Sequence, residues 1–277
     1  MRVRSVAPLV LLALVVLVLS LAPPVDAPDE DLGTQKAPQA IVYGSEVSSW
    51  PGAVLTTESG TVGDDECTFH DSGNGAASAD GTGQVTVIDT MSFEPATCTR
   101  TVVTATYSRD SAPEPLRKAV DAQLLVFPVS PTPLPAVGTL PGASTTTWSG
   151  SLAVTVKDPL NLTITQTVTG LTWTGTDTSV AGWAPYHADS WATWSGWSRY
   201  AGRYDFSGGG STYAYADTAG YYRNDLFCPG RTNTTYSAHS VTYFRGEQGG
   251  GWRWSRSLHY SGGCSWMLHD TMTLVTP

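Results

Sequence analysis

Trp191, Trp194 and Trp197 recur at every third residue, set among Ser and Gly and followed by Arg199 and Tyr200. That period matches neither the two-residue alternation of a strand nor one clean helical face, so some of these rings are expected to project from a loop. Projecting rings can stack on sugars, and Asp189 and Arg199, with Arg203 and Asp205 close by, supply the few polar groups that orient a ligand on an apolar surface. Trp191, Trp194, Trp197, Tyr200, Arg199 and Asp189 therefore form the candidate ligand-binding set, and the partner they suit is a carbohydrate or cell-wall ligand. The competing account places most of the rings in a β core, with Arg199, Arg203 and Arg223 stacked on them to stabilise a sheet.

Bond-making chemistry has weaker marks. His187 stands two residues before Asp189, where a histidine can act as an oriented base or join His239, His259 or His269 around a metal. The five histidines include no H-E-x-x-H and no i,i+4 pair, so no spacing enforces a metal site. The chain has no G-x-S-x-G elbow. Asp189, Asp205 and Asp217 are candidates for a glycosidase's paired carboxylates, but nothing in their spacing brings two to the ~5–9 Å that mechanism needs. The sequence assigns no catalytic residue, no metal and no cofactor. A secreted hydrolase acting on a polysaccharide stands as the alternative to a binding or structural module.

Residues 28 to 182 carry 17 acidic and 6 basic side chains, whereas residues 183 to 277 carry 6 acidic and 7 basic. The whole chain has a net charge of −9 and offers no basic stripe for phosphates, which argues against nucleic acid as a partner. Arg2 and Arg4 precede an apolar run from Val6 to Ala22, and small residues at Val25 and Ala27 follow, the pattern of an export signal. The 17 residues of that run also reach the lower limit for crossing a bilayer, so an uncleaved anchor, with membrane contact through it alone, is the alternative. Either way the protein is expected to be secreted or held on the extracellular side of the membrane. Twelve Arg against three Lys suits a GC-rich bacterial genome.

Cys67, Cys98, Cys228 and Cys264 contain no close ligand pair for zinc, and an even count in an exported chain points to two disulfides. Pairing 67 with 98 and 228 with 264 closes loops of about 30–40 residues, each worth roughly 3–4 kcal/mol in the chain-entropy account.

The elements that must position these residues are strands. Gly and Pro make up 46 of 277 residues, charged residues only 14%, and Ser and Thr are abundant. This composition predicts an all-β fold, a mainly antiparallel sandwich or barrel-like meander with at most one short helix near 114–126, where Leu116, Val120 and Leu124 fall at four-residue spacing. The expected organisation is a signal or anchor over 1–27, a disordered acidic spacer over 28–40, a small β-rich domain over 41–127, a Pro-rich linker over 128–142 and an aromatic-rich antiparallel domain over 143–277. Thr145 to Val156 and Leu160 to Trp173 alternate as a hairpin around Lys157-Asp158-Pro159. The Gly-rich run from Asp71 reads as a loop, and Gly73 stands where a calcium loop needs an oxygen ligand. Asn161 and Asn233 lie in N-x-[ST] sequons that read as coincidental. Trp252 to Tyr260 and Cys264 to Met272 are expected to form a final hairpin around Ser261-Gly262-Gly263. In that register Arg256 and Asp270 share one apolar face, where they must pair.

Overall fold

A computed structural model describes residues 41–63, 66–79, 81–124, 132–133, 144–201, 204–228 and 234–277. The expected signal, the spacer and most of the Pro-rich segment lie outside the described residues, as does Asn233.

The strands, in chain order, are β1 (Ile41–Val42), β2 (Val54–Ser59), β3 (Thr61–Gly63), β4 (Glu66–Gly75), β5 (Gln84–Glu94), β6 (Thr99–Ser108), β7 (Thr132–Pro133) and β8 (Thr146–Lys157), followed by β9 (Thr163–Gly175), β10 (Val180–Trp191), β11 (Trp197–Arg199), β12 (Tyr204–Gly209), β13 (Tyr213–Asn224), β14 (Thr235–Glu247), β15 (Trp252–Gly262) and β16 (His269–Thr276). Among the described residues one α-helix, α1 (Glu114–Leu124), lies within the expected range. All the pairings are antiparallel, in two sheets. Sheet A runs β2-β6-β5-β16-β8-β9-β10-β7 with β1 on β5, and sheet B runs β11-β13-β14-β15-β4-β3 with β12 also on β13. The fold is an all-β sandwich.

Alternating residues of both sheets meet in the main core, where Leu152, Leu171 and Trp173 of sheet A pack with Phe69, Phe244, Trp254 and Leu258 of sheet B. A second cluster lies on the other face of sheet A. There Leu116 and Val120 of α1 cover Val85, Val87, Val103 and Ala105. The helix forms because Pro113 precedes its first turn and accepts from Arg117 N at 2.9 Å, while its four-residue spacing aligns Leu116 with Val120.

The expected hairpin of β8 and β9 forms, with Trp148 level with Trp173 and Val154 with Thr167. Its turn is closed by Asp158, whose Oδ1 accepts from Leu160 N and Leu162 N at 2.9 Å each. Both disulfides pair as expected, Cys67 with Cys98 and Cys228 with Cys264, with Cα separations of 5.7 and 5.4 Å.

Three expectations need correction. Asp71 to Gly75 is not loop but the end of β4, because Gly73 and Gly75 lie opposite Trp254 and Trp252 of β15. A Cβ at Gly73 would come within 2.7 Å of the Trp254 indole, so glycine is what lets the two strands pair under those rings. The final hairpin does not form. β15 pairs with β14 and β4 in sheet B, whereas β16 pairs with β5 and β8 in sheet A, and the chain passes between the sheets through a short 3-10 turn at Ser265–Met267. Nor does the chain divide at the Pro-rich segment: each sheet joins a block of strands from 41–127 to a block from 143–277, and Ala37–Pro277 is one compact unit. Thr132–Pro133, inside that segment, pairs as a two-residue strand with β10, an edge position where proline's missing donor does little harm.

Candidate functional site

The three regularly spaced tryptophans point three ways, because they occupy three different elements. Trp191 ends β10, Trp194 sits in a 3-10 turn at Thr193–Ser195, and Trp197 opens β11. Trp197 is 2% exposed and packs on Phe227 with Val156, Ile164 and Tyr222 around it, so it has no face to offer. Trp194 is 72% exposed. Trp191 is half-buried between the sheet edges, against Tyr222 on one side and the Arg199 guanidinium, 5.1 Å from its centroid, on the other. Arg199 also donates to Asp189 at 3.1 Å. Arg199, Asp189 and Trp191 thus clamp β10 of sheet A to β11 of sheet B.

The same lateral edge holds the histidine. His187 Nδ1 lies 2.6 Å from Thr218 Oγ1 and 3.8 Å from Asp205, joining β10 to β13 and β12. Asp205 is level with Thr218 on the inner side of sheet B, whereas Asp217, level with Phe206, is on the outer side. The three aspartates singled out for glycosidase chemistry are therefore split between two faces, with Asp189 committed to Arg199.

Tyr200 leads to a different surface. Its amide donates to Tyr221 O at 3.1 Å, extending the pairing of β11 with β13 by one residue and turning its ring, 43% exposed, to the outer side of sheet B. There it meets Tyr221 and Tyr236 edge-on, at 6.2 and 5.3 Å between centroids. Burial, then the neighbouring Tyr221 and Tyr236, raise the Tyr200 hydroxyl above its ordinary range. Tyr213 and Tyr215 stack 6.5 Å apart further along β13, and Arg245 lies 4.1 Å over the Tyr213 ring. Tyr243, level with Ser255, completes the set. Among the described side chains, six tyrosines thus share the outer face of sheet B, interleaved with Arg223, Arg245 and Arg253. Among the described residues no helix or strand covers this face, in contrast to the outer face of sheet A under α1. Spacing arguments built on tryptophan missed it; the alternation of Tyr213, Tyr215 and Tyr221 was the available signal.

Between the sheets lies an ionic cluster built from both. Arg256 donates to Asp270 at 2.8 Å, the pair expected from the sequence, and to Asp71 at 2.6 Å. Arg100, not anticipated, reaches Asp270, Asp71 and Glu58 at 2.7–2.9 Å and lies over Phe69. Burial works to raise the Asp270 carboxyl, but Arg100 and Arg256 override it and hold it down at about 2. Arg100, Arg256 and Asp270 are sealed from solvent, so the cluster ties the sheets together and reaches no ligand. Asn161 is similarly occupied: its Oδ1 accepts from His269 Nε2 at 2.8 Å and its amide donates to Tyr43 O.

Elsewhere, a groove of roughly 410 Å³ runs past Ser78, Gly83, Arg109, Thr147 and Trp148, with no Asp, Glu or His among the described residues that line it. No group of three metal-ligating side chains occurs among the described residues.

No family model, curated protein or solved structure matches this chain. What the protein does is read from its own surfaces.

Proposed function

We propose that this chain is an exported binding module that recognises carbohydrate or cell-wall material through the outer face of sheet B. The observation that carries the reading is the set of six partly exposed tyrosines on one sheet face that nothing described covers. Rings fixed on adjacent strands offer flat apolar faces at low entropic cost, with hydroxyls and Arg side chains at the margins for hydrogen bonds, the composition a sugar-binding surface needs. Trp194 adds an exposed ring on the connection into β11. Export is supported by the N-terminal pattern and by two disulfides, and no helix among the described residues is long and apolar enough to cross a membrane. The test is a pull-down of the exported domain on insoluble cell-wall polysaccharides, repeated with Tyr221→Ala and Tyr215→Ala variants shown to melt normally. Retention that survives both substitutions removes the reading. The second reading, a secreted polysaccharide hydrolase, is favoured by the contact of His187 with Asp205, and release of soluble reducing ends in the same incubation decides for it.

A further inference from the structure

Strand pairing lays out the outer face of sheet B as a grid, so the surroundings of each side chain follow from register. One row runs Ser198, Arg223, Tyr236, Ser261, Glu66 across β11, β13, β14, β15 and β4. The next holds Tyr200 and Tyr221, then Ala238, His259 and Thr68. Neighbouring strands are about 4.8 Å apart and same-face residues of one strand about 7 Å apart, so Arg223 is bounded by Tyr236 at the side and by Tyr221 and Tyr200 below, within the span of one sugar unit.

The charges on this face are unevenly satisfied. Arg245 and Arg253 both form ion pairs with Glu247 at 3.0 Å, and His259 lies 3.3 Å from Glu66. Arg199 is held by Asp189 at the sandwich edge. Arg223 is exposed and has no carboxylate partner among the described residues, although the whole chain carries net charge −9. A guanidinium presents a planar fork that matches one carboxylate through two parallel hydrogen bonds. A phosphate monoester, with about two negative charges, calls for a second free cation, and the other described arginines of this face, Arg245 and Arg253, are already committed to Glu247.

We infer that the ligand of this face is a polysaccharide bearing carboxylates, of the uronic-acid type, with a sugar ring against Tyr200, Tyr221 and Tyr236 and its carboxylate on Arg223. This rests on the reading of the face as a carbohydrate surface and adds the charge of the sugar to it.

The experiment compares binding of polygalacturonate, its fully methyl-esterified form, a neutral β-glucan and a phosphate-bearing wall polymer at fixed low ionic strength. The expected result is at least tenfold tighter binding of the acid than of the ester, loss of that ratio in Arg223→Gln, partial retention in Arg223→Lys, and weakening of both acid and ester in Tyr221→Ala. Arg223 is exposed, so its variants should keep the parent melting temperature. Equal binding of acid and ester, an unchanged ratio in Arg223→Gln, or tighter binding of the phosphate polymer overturns the inference while leaving the carbohydrate surface standing. Failure of all four polymers to bind removes both.

Discussion

Replacing Trp194 with Ala removes a ring that already faces water, so the melting temperature should change little, whereas Trp197→Ala empties a sealed site and should cost about 3–5 kcal/mol in urea denaturation. Equal losses would mean that the ring of Trp194 is packed in solution. Asp217 offers a second residue-level test. Burial pushes its carboxyl up to about 6, from an ordinary value near 3.8. The folded state thus binds the proton more tightly than the unfolded chain, and stability falls as pH rises from about 4 to 6 and stays lowered above that. Asp217→Asn should therefore raise the melting temperature at pH 8, modestly because the group is half exposed, and the gain should vanish at pH 4; a gain independent of pH sinks this account. Among the rings singled out by spacing, Trp194 and Tyr200 are open to solvent and Trp197 is sealed in the core, and the spacing did not point to the other tyrosines of sheet B. Tyr236 and Tyr243 are an odd number apart, which simple alternation puts on opposite faces. They share a face because β14 slips register between Ser240 and Tyr243, and a slip of that kind leaves no mark in the spacing.

Pairing of Arg256 with Asp270 was legible for a reason independent of the strand pairing expected for it. Alternation decides which side of a strand a residue takes, not which strand it lies beside, so Arg256 and Asp270 turn inward whether β15 and β16 form a hairpin or face each other across the sandwich. Arg100 was not legible, since a lone arginine among Thr and Val residues of β6 says nothing of the carboxylates on β4 and β16. Because the three charged side chains are sealed in, Asp270→Asn leaves both guanidiniums short of charge, and stability should fall by about 3–5 kcal/mol, measured by urea denaturation at pH 7. A loss under 1 kcal/mol would show that Asp71 and Glu58 suffice. The pairing of β4 with β15 makes a separate claim. Gly73→Ala pushes a methyl into the Trp254 indole, and the overpacking should cost about 1–3 kcal/mol, with a shift in tryptophan fluorescence.

For the whole molecule, the acid limit should be set first by His269. Burial, with Lys157 nearby, lowers its imidazole to about 4, against about 6.5 when unfolded. The unfolded chain therefore takes up a proton that the fold refuses, and stability should fall as pH drops from 6.5 to 4, by up to about 3 kcal/mol. Loss of the Asp270 contribution follows as pH falls from 3.8 towards 2. His269→Gln should flatten the melting profile between pH 6.5 and 4 and leave the lower limb in place; an unchanged slope would assign the loss to other groups. The all-β class, the helix and both disulfides were legible because each rests on local pattern or on counting. The single compact unit was not, because nothing local says that β5 and β8, on either side of the Pro-rich segment, take the same partner. That partner is β16. Until residues 269–276 are in place, sheet A is two unconnected pieces, β2-β6-β5 and β8-β9-β10, so a chain emerging from the ribosome cannot lock its fold before its last strand arrives. A delay of that kind keeps the polypeptide threadable, the condition a secretion channel that passes unfolded chains imposes.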